Sequence, residues 1–511
     1  MNQLTWLRLL AALLAILLIG CGAPPVDSIA IGPESQLFVD DRLVSEAHGV
    51  RRTLHPAQKL AQPVLVADRP WEGERVYVYG TIYHDPAEEI FKMWYLARLG
   101  PGYEKRLPGL GEHGDLVLYA TSKDGVQWEK PNLNLHQFDG SGDNNIVLLN
   151  LHSPAILIDA DAPDTARYRM LAWNWDPEHY GYWRAYSDDG IVWKEYKEGP
   201  VLFKPDEILE AMTTARSPKD GAYLAFFRLW DDVRGFHRRA IGVSRSEDFQ
   251  HWSAPQLVLT PDEEDDKWAS GTEQRTEFYN MAAFSYGSQF LGFLPVFRVE
   301  RILKLDKSVS ASNQAKWDGP IDAQLVHSRD GVNWERFEDR SPLIPNGEPG
   351  SFDAGCILAL ANPPVIAGDG AGDEVWVYYT AVNTKHGAPM PPKRITIARA
   401  SWRLDGFVSL DSDNSGGIVE TVTLQTAGDQ LEVNVDASKG SLQVEVLSAA
   451  GEVLPEFDLE SSERISGNQI RHIVRWNERS LLDTAEPIRL RFHLNNAQLY
   501  SFRITKHVVA E

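Results

Sequence analysis

Five acidic side chains stand at or just before short apolar runs of β character. Glu72 and Glu74 precede the run 76–83, Glu210 precedes 211–215, Glu277 precedes 278–286 and Asp353 precedes 357–366. Two carboxylates facing one another across a bond can act as general acid and general base, so a set of this kind is the first place to look for chemistry. The neighbours of Glu277 add to its candidacy: Arg275 brings a charge, Phe278 and Tyr279 bring stacking faces, and Asn280 brings hydrogen-bond donors. Asp353 lies in the glycine-flanked stretch 350–355, where small neighbours leave room for a ligand. Arg75 follows Glu74 directly, which would hold that carboxyl group ionised. Ahead of the run 155–158 His152 takes the place of an acid.

Other chemistries find no support. No glycine-rich nucleotide loop, no zinc-type Cys or His spacing, no His-Glu-x-x-His and no Gly-x-Ser-x-Gly is present. The acidic run 262–266 lacks the alternating ligand spacing of a calcium loop and reads as a solvated face. No metal and no cofactor are therefore expected. A net charge of -22, from 72 acidic and 50 basic residues, would repel a polyphosphate backbone, so nucleic acid is not expected as a partner.

The elements that must position these groups repeat. The pattern Ser-x-Asp-[Gly/Phe]-x-x-Trp occurs at 122–128, 187–193, 246–252 and 328–334. Asp followed by Gly reads as a tight turn, and the Trp offers an apolar wedge between neighbouring units. Five aromatic-rich runs, 91–97, 168–173, 223–229, 290–297 and 375–381, each follow another β-like run across a turn. Four of these hairpins lead into one copy of the pattern, and the fifth leads into a degenerate version at 400–407. The expected fold is all-β, a five-bladed β-propeller over residues 35–411. A stretch rich in Asp, Asn, Ser and Gly at 412–417 then marks a boundary, and alternating runs beyond it predict a C-terminal β-sandwich over 418–508.

The first 20 residues have signal-peptide layout, an early Arg8 and then an apolar run too short to span a bilayer comfortably. The sequence 18–21, Leu-Ile-Gly-Cys, resembles a bacterial lipobox. That resemblance implies lipidation of Cys21, a tether over 21–34, and anchoring in the cell envelope, with Gly22 favouring the outer membrane. The lipid would be the only membrane contact, and a monomer is expected.

The five hairpin-plus-turn repeats, clearest at 119–128, together with the appended sandwich, resemble the five-bladed propeller glycoside hydrolase superfamily that includes families 32 and 43. In that superfamily the start of each inner strand faces a central funnel. The resemblance therefore implies a carbohydrate substrate, with Glu277 as general acid and Asp353 or Glu74 as base or nucleophile. Trp71, Glu72, Arg75, His152, Glu210, Arg216, Arg275, Tyr279 and Asn280 would contact the substrate. The family 32 motifs Asn-Asp-Pro-Asn, Arg-Asp-Pro and Glu-Cys are absent at matching positions, and Asp85-Pro86 falls in a turn. Two alternatives stand beside hydrolysis. One is a carbohydrate-binding lipoprotein without catalysis. The other is a sialidase-like enzyme, because the turn pattern resembles the sialidase Asp-box; it would gather Arg75, Arg216 and Arg275 around a substrate carboxylate.

Overall fold

The computed structural model describes residues 27–159, 162–176, 181–196, 208–306, 314–368, 373–482 and 486–507. Among these the protein is all-β, with single 3-10 turns at Pro70–Glu72, Asp164–Ala166 and Glu264–Asp266 as its helical content.

The hairpins expected from the aromatic runs form as antiparallel sheets. In the first, Ile90–Arg98 lies between Asp115–Ser122 on one side and the short strands Val76–Tyr77 and Ile82–Asp85 on the other. The second orders Leu151–Ile158, Tyr168–Asn174, Gly181–Ser187 and Lys194–Glu195, and the third orders Ile208–Arg216, Tyr223–Val233, Phe236–Ser246 and Gln256–Leu259. A fourth set is built on Gln289–Val299 and Ile321–Ser328. The fifth is built on Cys356–Leu360, Glu374–Val382 and Ile395–Arg403, and one parallel pairing, Ile321 with Cys356, joins it to the fourth. Each sheet packs against its successor, and the fifth packs back on the first. Gln58–Lys59, near the start of the described chain, supplies the outer strand of the fifth sheet.

The Ser-x-Asp turns lock these sheets together, and local hydrogen bonding explains their shape. In the first copy Ser122 Oγ accepts the Gly125 N–H at 2.9 Å, while Asp124 Oδ1 accepts the N–H groups of Val126 and Gln127, each at 2.8 Å. The copies at 187–193 and 328–334 repeat the same bonds. The turn then docks on the preceding sheet. Gly125 accepts a hydrogen bond from Tyr378, Gly190 accepts one from Trp94, and Trp334 packs edge-on to Phe226.

An eleven-stranded sheet gathers Val408–Ser412, Gly417–Thr421, Gln430–Ser448, Ile488–Asn495, Gln498–Thr505 and others around a core including Val433, Val444, Phe492 and Phe502. It also recruits the beginning of the chain. Ile29–Ile31 pairs in parallel with Leu424–Thr426, and Val50–Leu54 pairs with Val408–Ser412. The stretch expected as a tether over 21–34 thus contains a strand. Ile29 and Ile31 pack against the core of that sheet, an apolar gain that a proline-flanked segment does not advertise locally. Cys21 lies outside the described residues.

Candidate functional site

The inner strands of the sheets share a defect, and it lies beside a cavity. The register slips between His152 and Ala155 in the second sheet, between Leu209 and Met212 in the third, and between Ile357 and Ala359 in the fifth. The first and fourth sheets break there into two short strands each, Val76–Tyr77 with Ile82–Asp85 and Arg275–Phe278 with Ala282–Tyr286. Such bulges bend a strand and re-aim its side chains. Ser153, inside one of them, has a left-handed backbone at φ 51°. The side chains beside four of the breaks, Tyr77 and Tyr79, His152, Tyr279 and Leu358, line one cavity of about 210 Å³. Arg75, Arg98 and Cys356 also line it, as do His386 and Lys393, which come from the loop between Glu374–Val382 and Ile395–Arg403.

Hydrogen bonds orient this lining. His386 Nδ1 lies 2.9 Å from the Trp317 carbonyl, which can only accept, so Nδ1 carries the proton. Burial pushes the imidazole down to about 3, and the charges of Lys393, Arg239 and Arg228 push the same way, so the ring is neutral. Its Nε2 must then accept from the Tyr279 hydroxyl at 3.2 Å. A directed bond from Tyr279 to His386 therefore stands in the cavity wall. Tyr79 also lines the cavity, and burial holds its phenol well above the usual range. Arg228 and Arg239 cover the Tyr279 ring at 5.2 and 5.7 Å.

A second cluster fixes His152. Its Nδ1 is 3.2 Å from Asp115, which also accepts two bonds from Arg98, at 2.6 and 2.8 Å, and one from the Trp175 indole at 2.6 Å. Burial alone would raise the Asp115 pKa. The charges of Arg98 and His152 overcome it and hold the carboxyl well below the carboxylate range.

Of the residues expected in the site, Arg75, His152 and Tyr279 line the cavity. Glu277 lies behind it, fully buried, with Arg239 on one oxygen and Arg275 2.7 Å from the other. Arg239 also lies over Trp317 at 4.7 Å, so Glu277 is one side chain removed from the His386 and Tyr279 wall. Asn280 donates to the Leu358 carbonyl at 3.1 Å and ties the fourth sheet to the fifth. Asp353 is buried away from the cavity lining, bonded to Lys59 at 2.7 Å and to the Tyr379 hydroxyl at 3.0 Å, where it secures the outer strand of the fifth sheet. Glu72 accepts from the backbone N–H groups of Asp68 and Arg69, from Tyr95 and from Lys130, and so closes its own turn. Trp71 donates to Asn145 at 2.7 Å and packs on Phe138 in the first sheet. Glu74 is exposed. Arg216 pairs with Asp159 at 2.7 Å and covers Tyr223, far along its strand from the break, so Arg75, Arg216 and Arg275 do not form one trio. The Glu210 side chain lies outside the described residues, although its backbone sits at the slip between Leu209 and Met212.

Sequence reasoning passed over Arg98, Asp115, Lys393, Tyr77 and Tyr79. Arg98 and Asp115 sit at strand ends with no motif around them, and Lys393 follows two prolines in a loop.

No family model matches this chain, and no curated protein matches it. Solved structures do resemble it. A β-1,2-mannobiose phosphorylase from Listeria innocua aligns at 12% identity over 68% of this chain and 97% of its own, with a TM-score of 0.42. A family 32 β-fructofuranosidase from Bombyx mori aligns at 12% identity over 88% and 95%, TM-score 0.39. A family 117 glycoside hydrolase from Zobellia galactanivorans aligns at 12% identity over 71% and 91%, TM-score 0.37. At such identities and scores these likenesses assign neither a substrate nor a residue's role.

Proposed function

We propose that this is a carbohydrate-acting protein which binds an oligo- or polysaccharide in the cavity between Tyr77 and Lys393 and cleaves a glycosidic bond there. The observation that carries this reading is the convergence of phenols, imidazoles and guanidinium groups from four sheets on one pocket. Hydroxyl-rich rings need both flat faces and many oriented hydrogen-bond partners, and few other ligand classes use both so fully. In this proposal the five sheets are the blades of a β-propeller, a view supported by their cyclic packing and by closure of the fifth with Gln58–Lys59. The eleven-stranded sheet, including strands from 29–54, would be a sandwich packed beside it. Cleavage by the expected carboxylates requires Glu277 to be released from Arg239 and Arg275 to act as proton donor, with Asp353 and Glu74 as the candidate bases. The N-terminal segment would be removed and Cys21 lipidated, placing the protein in the cell envelope, and loss of membrane association in Cys21→Ser tests that.

A second reading is favoured by one observation. Both oxygens of Glu277 face guanidinium groups, and Asp353 is held by Lys59 and Tyr379, so neither carboxylate is presented to the cavity. That arrangement suits a protein that captures a glycan without cutting it. The test is a panel of plant, algal and host glycans offered to the soluble chain from residue 22 onward, scoring released reducing ends and binding separately. Release that Tyr279→Phe abolishes supports an enzyme centred on this cavity. Binding without release supports capture, and neither binding nor release from any glycan refutes both.

A further inference from the structure

We infer that His152 is the group that passes a proton to the glycosidic oxygen in this cavity, with Asp115 as its positioning residue. This inference rests on the cleavage reading above and supplies it with a proton-transfer group other than a carboxylate.

The carboxylates first expected to act are held elsewhere, Glu277 by Arg239 and Arg275, and Asp353 by Lys59 and Tyr379. Two imidazoles, His152 and His386, do line the cavity. Delivering a proton requires a group that can hold one near neutral pH. His386 does not meet that requirement, since burial pushes it down to about 3 and its Nε2 faces the Tyr279 hydroxyl.

His152 is set differently. Its side chain joins the cavity wall, and its Nδ1 lies 3.2 Å from Asp115 Oδ2. Arg98 also approaches Nδ1, at 3.4 Å, but it directs its fork to Asp115 at 2.6 and 2.8 Å, so the carboxylate makes the shorter contact with the ring. The Trp175 indole adds a third donor to Asp115 at 2.6 Å and pins the carboxylate. A buried carboxylate on Nδ1 fixes the rotation of an imidazole and stabilises its protonated form. With Nδ1 so engaged, Nε2 is the polar atom through which the ring can meet a ligand. The backbone bears a cost for this placement. Ser153, inside the slip between His152 and Ala155, is left-handed at φ 51°, and its hydroxyl is buried with no hydrogen-bond partner among the described residues. Strain of this kind collects at sites where the aim of a side chain matters.

The imidazolium gives its Nε2 proton to the glycosidic oxygen as the bond from that oxygen to the anomeric carbon breaks, and the bonding pair stays with the oxygen. Water then adds to the anomeric carbon and yields a proton to the neutral Nε2. The imidazolium is restored, Asp115 stays ionised throughout, and one water is consumed. The Tyr79 ring, centred 5.2 Å from that of His152, offers a flat face to the sugar beside the reacting bond.

The experiment compares folded wild type with His152→Gln on two substrates that share the sugar identified by the glycan panel. One is the oligosaccharide itself, whose leaving oxygen needs a proton, and the other is its 2,4-dinitrophenyl glycoside, whose leaving oxygen does not. The variant should lose about 10²- to 10⁴-fold in release from the oligosaccharide and less than about 10-fold from the aryl glycoside, because acid assistance matters for the poor leaving group alone. Asp115→Asn should show the same split, since the ring it holds would lose both its aim and its counter-charge. A merely structural role would lower both substrates alike. Equal losses on the two substrates, or full release by folded His152→Gln, overturns the inference and leaves the cleavage reading intact. If neither variant folds, diethylpyrocarbonate treatment of the wild type decides the matter. Release should then fall in step with modification of His152, located by peptide mass spectrometry, and return with hydroxylamine. Release retained with His152 modified, or lost with His152 unmodified, overturns the inference. No release from any glycan of the panel overturns both.

Discussion

Replacing Glu277 with Gln should destabilise the protein whether or not Glu277 takes part in catalysis. The carboxylate is fully buried on strand Arg275–Phe278, with Arg275 2.7 Å from one oxygen and Arg239 on the other. Both guanidinium groups are themselves buried, and neither has another carboxylate partner among the described residues. Gln keeps the shape, removes the charge, and turns an N–H toward one of two cations that then face each other. Breaking a buried ion pair from one side costs about 3–5 kcal/mol, chiefly through the charge left behind. The cation–π contacts of Arg239 with Trp317 and Trp230, at 4.7 and 5.3 Å, soften that loss, so about 3 kcal/mol is the expected value. Urea unfolding followed by tryptophan fluorescence would measure it. Combining Glu277→Gln with Arg239→Met removes one orphaned cation, so the pair should cost less than the sum of the singles by about 1–3 kcal/mol. An unchanged midpoint for Glu277→Gln, or strict additivity in the double variant, would refute this reasoning. A midpoint unchanged while saccharide release disappears would instead identify Glu277 as a working acid, and activity in this variant must be normalised to folded protein.

Three further outcomes can be checked. Gly190→Ala should destabilise by about 2–4 kcal/mol in the same unfolding assay, because its backbone is left-handed at φ 75° and the new Cβ would lie 2.5 Å from Trp94 Cζ2. Cys356, whose buried thiol is pushed up to about 12, should resist iodoacetamide in the native protein and react once urea unfolds it. His386 has a folded pKa depressed to about 3 by burial, below the value of about 6.5 that it has when unfolded. Between those values the unfolded chain binds the extra proton, so stability present above pH about 6.5 is lost as pH falls, at up to about 1.4 kcal/mol per pH unit from this site. His386→Gln should flatten the stability profile over that window, and a profile unchanged in slope would refute the assignment of a neutral ring.

What the sequence by itself determined is what local forces decide. The aromatic-rich runs, each joined to a second β-like run by a turn, specify hairpins, because strand propensity and turn chemistry are local. The Ser-x-Asp turns follow from bonds between residues two or three apart, such as Asp124 with Val126 and Gln127, and are therefore legible wherever the pattern recurs. Arg75, His152 and Tyr279 were legible as site candidates for the same reason, since each stands beside an inner strand. The tertiary structure alone decided which charges meet. Asp353 takes its partner Lys59 from 294 residues away, and Glu277 takes Arg239 from 38 residues away on another sheet. Those pairings leave both carboxylates buried against cations, an environment their local sequences do not announce. Lys393 and His386 enter the cavity from a loop with no periodicity at all, and Gln58–Lys59 completes a sheet whose other strands lie at the far end of the repeats. A carboxylate's chemistry is set by what neutralises it, and that partner is chosen by sheet register and closure, which no local pattern encodes.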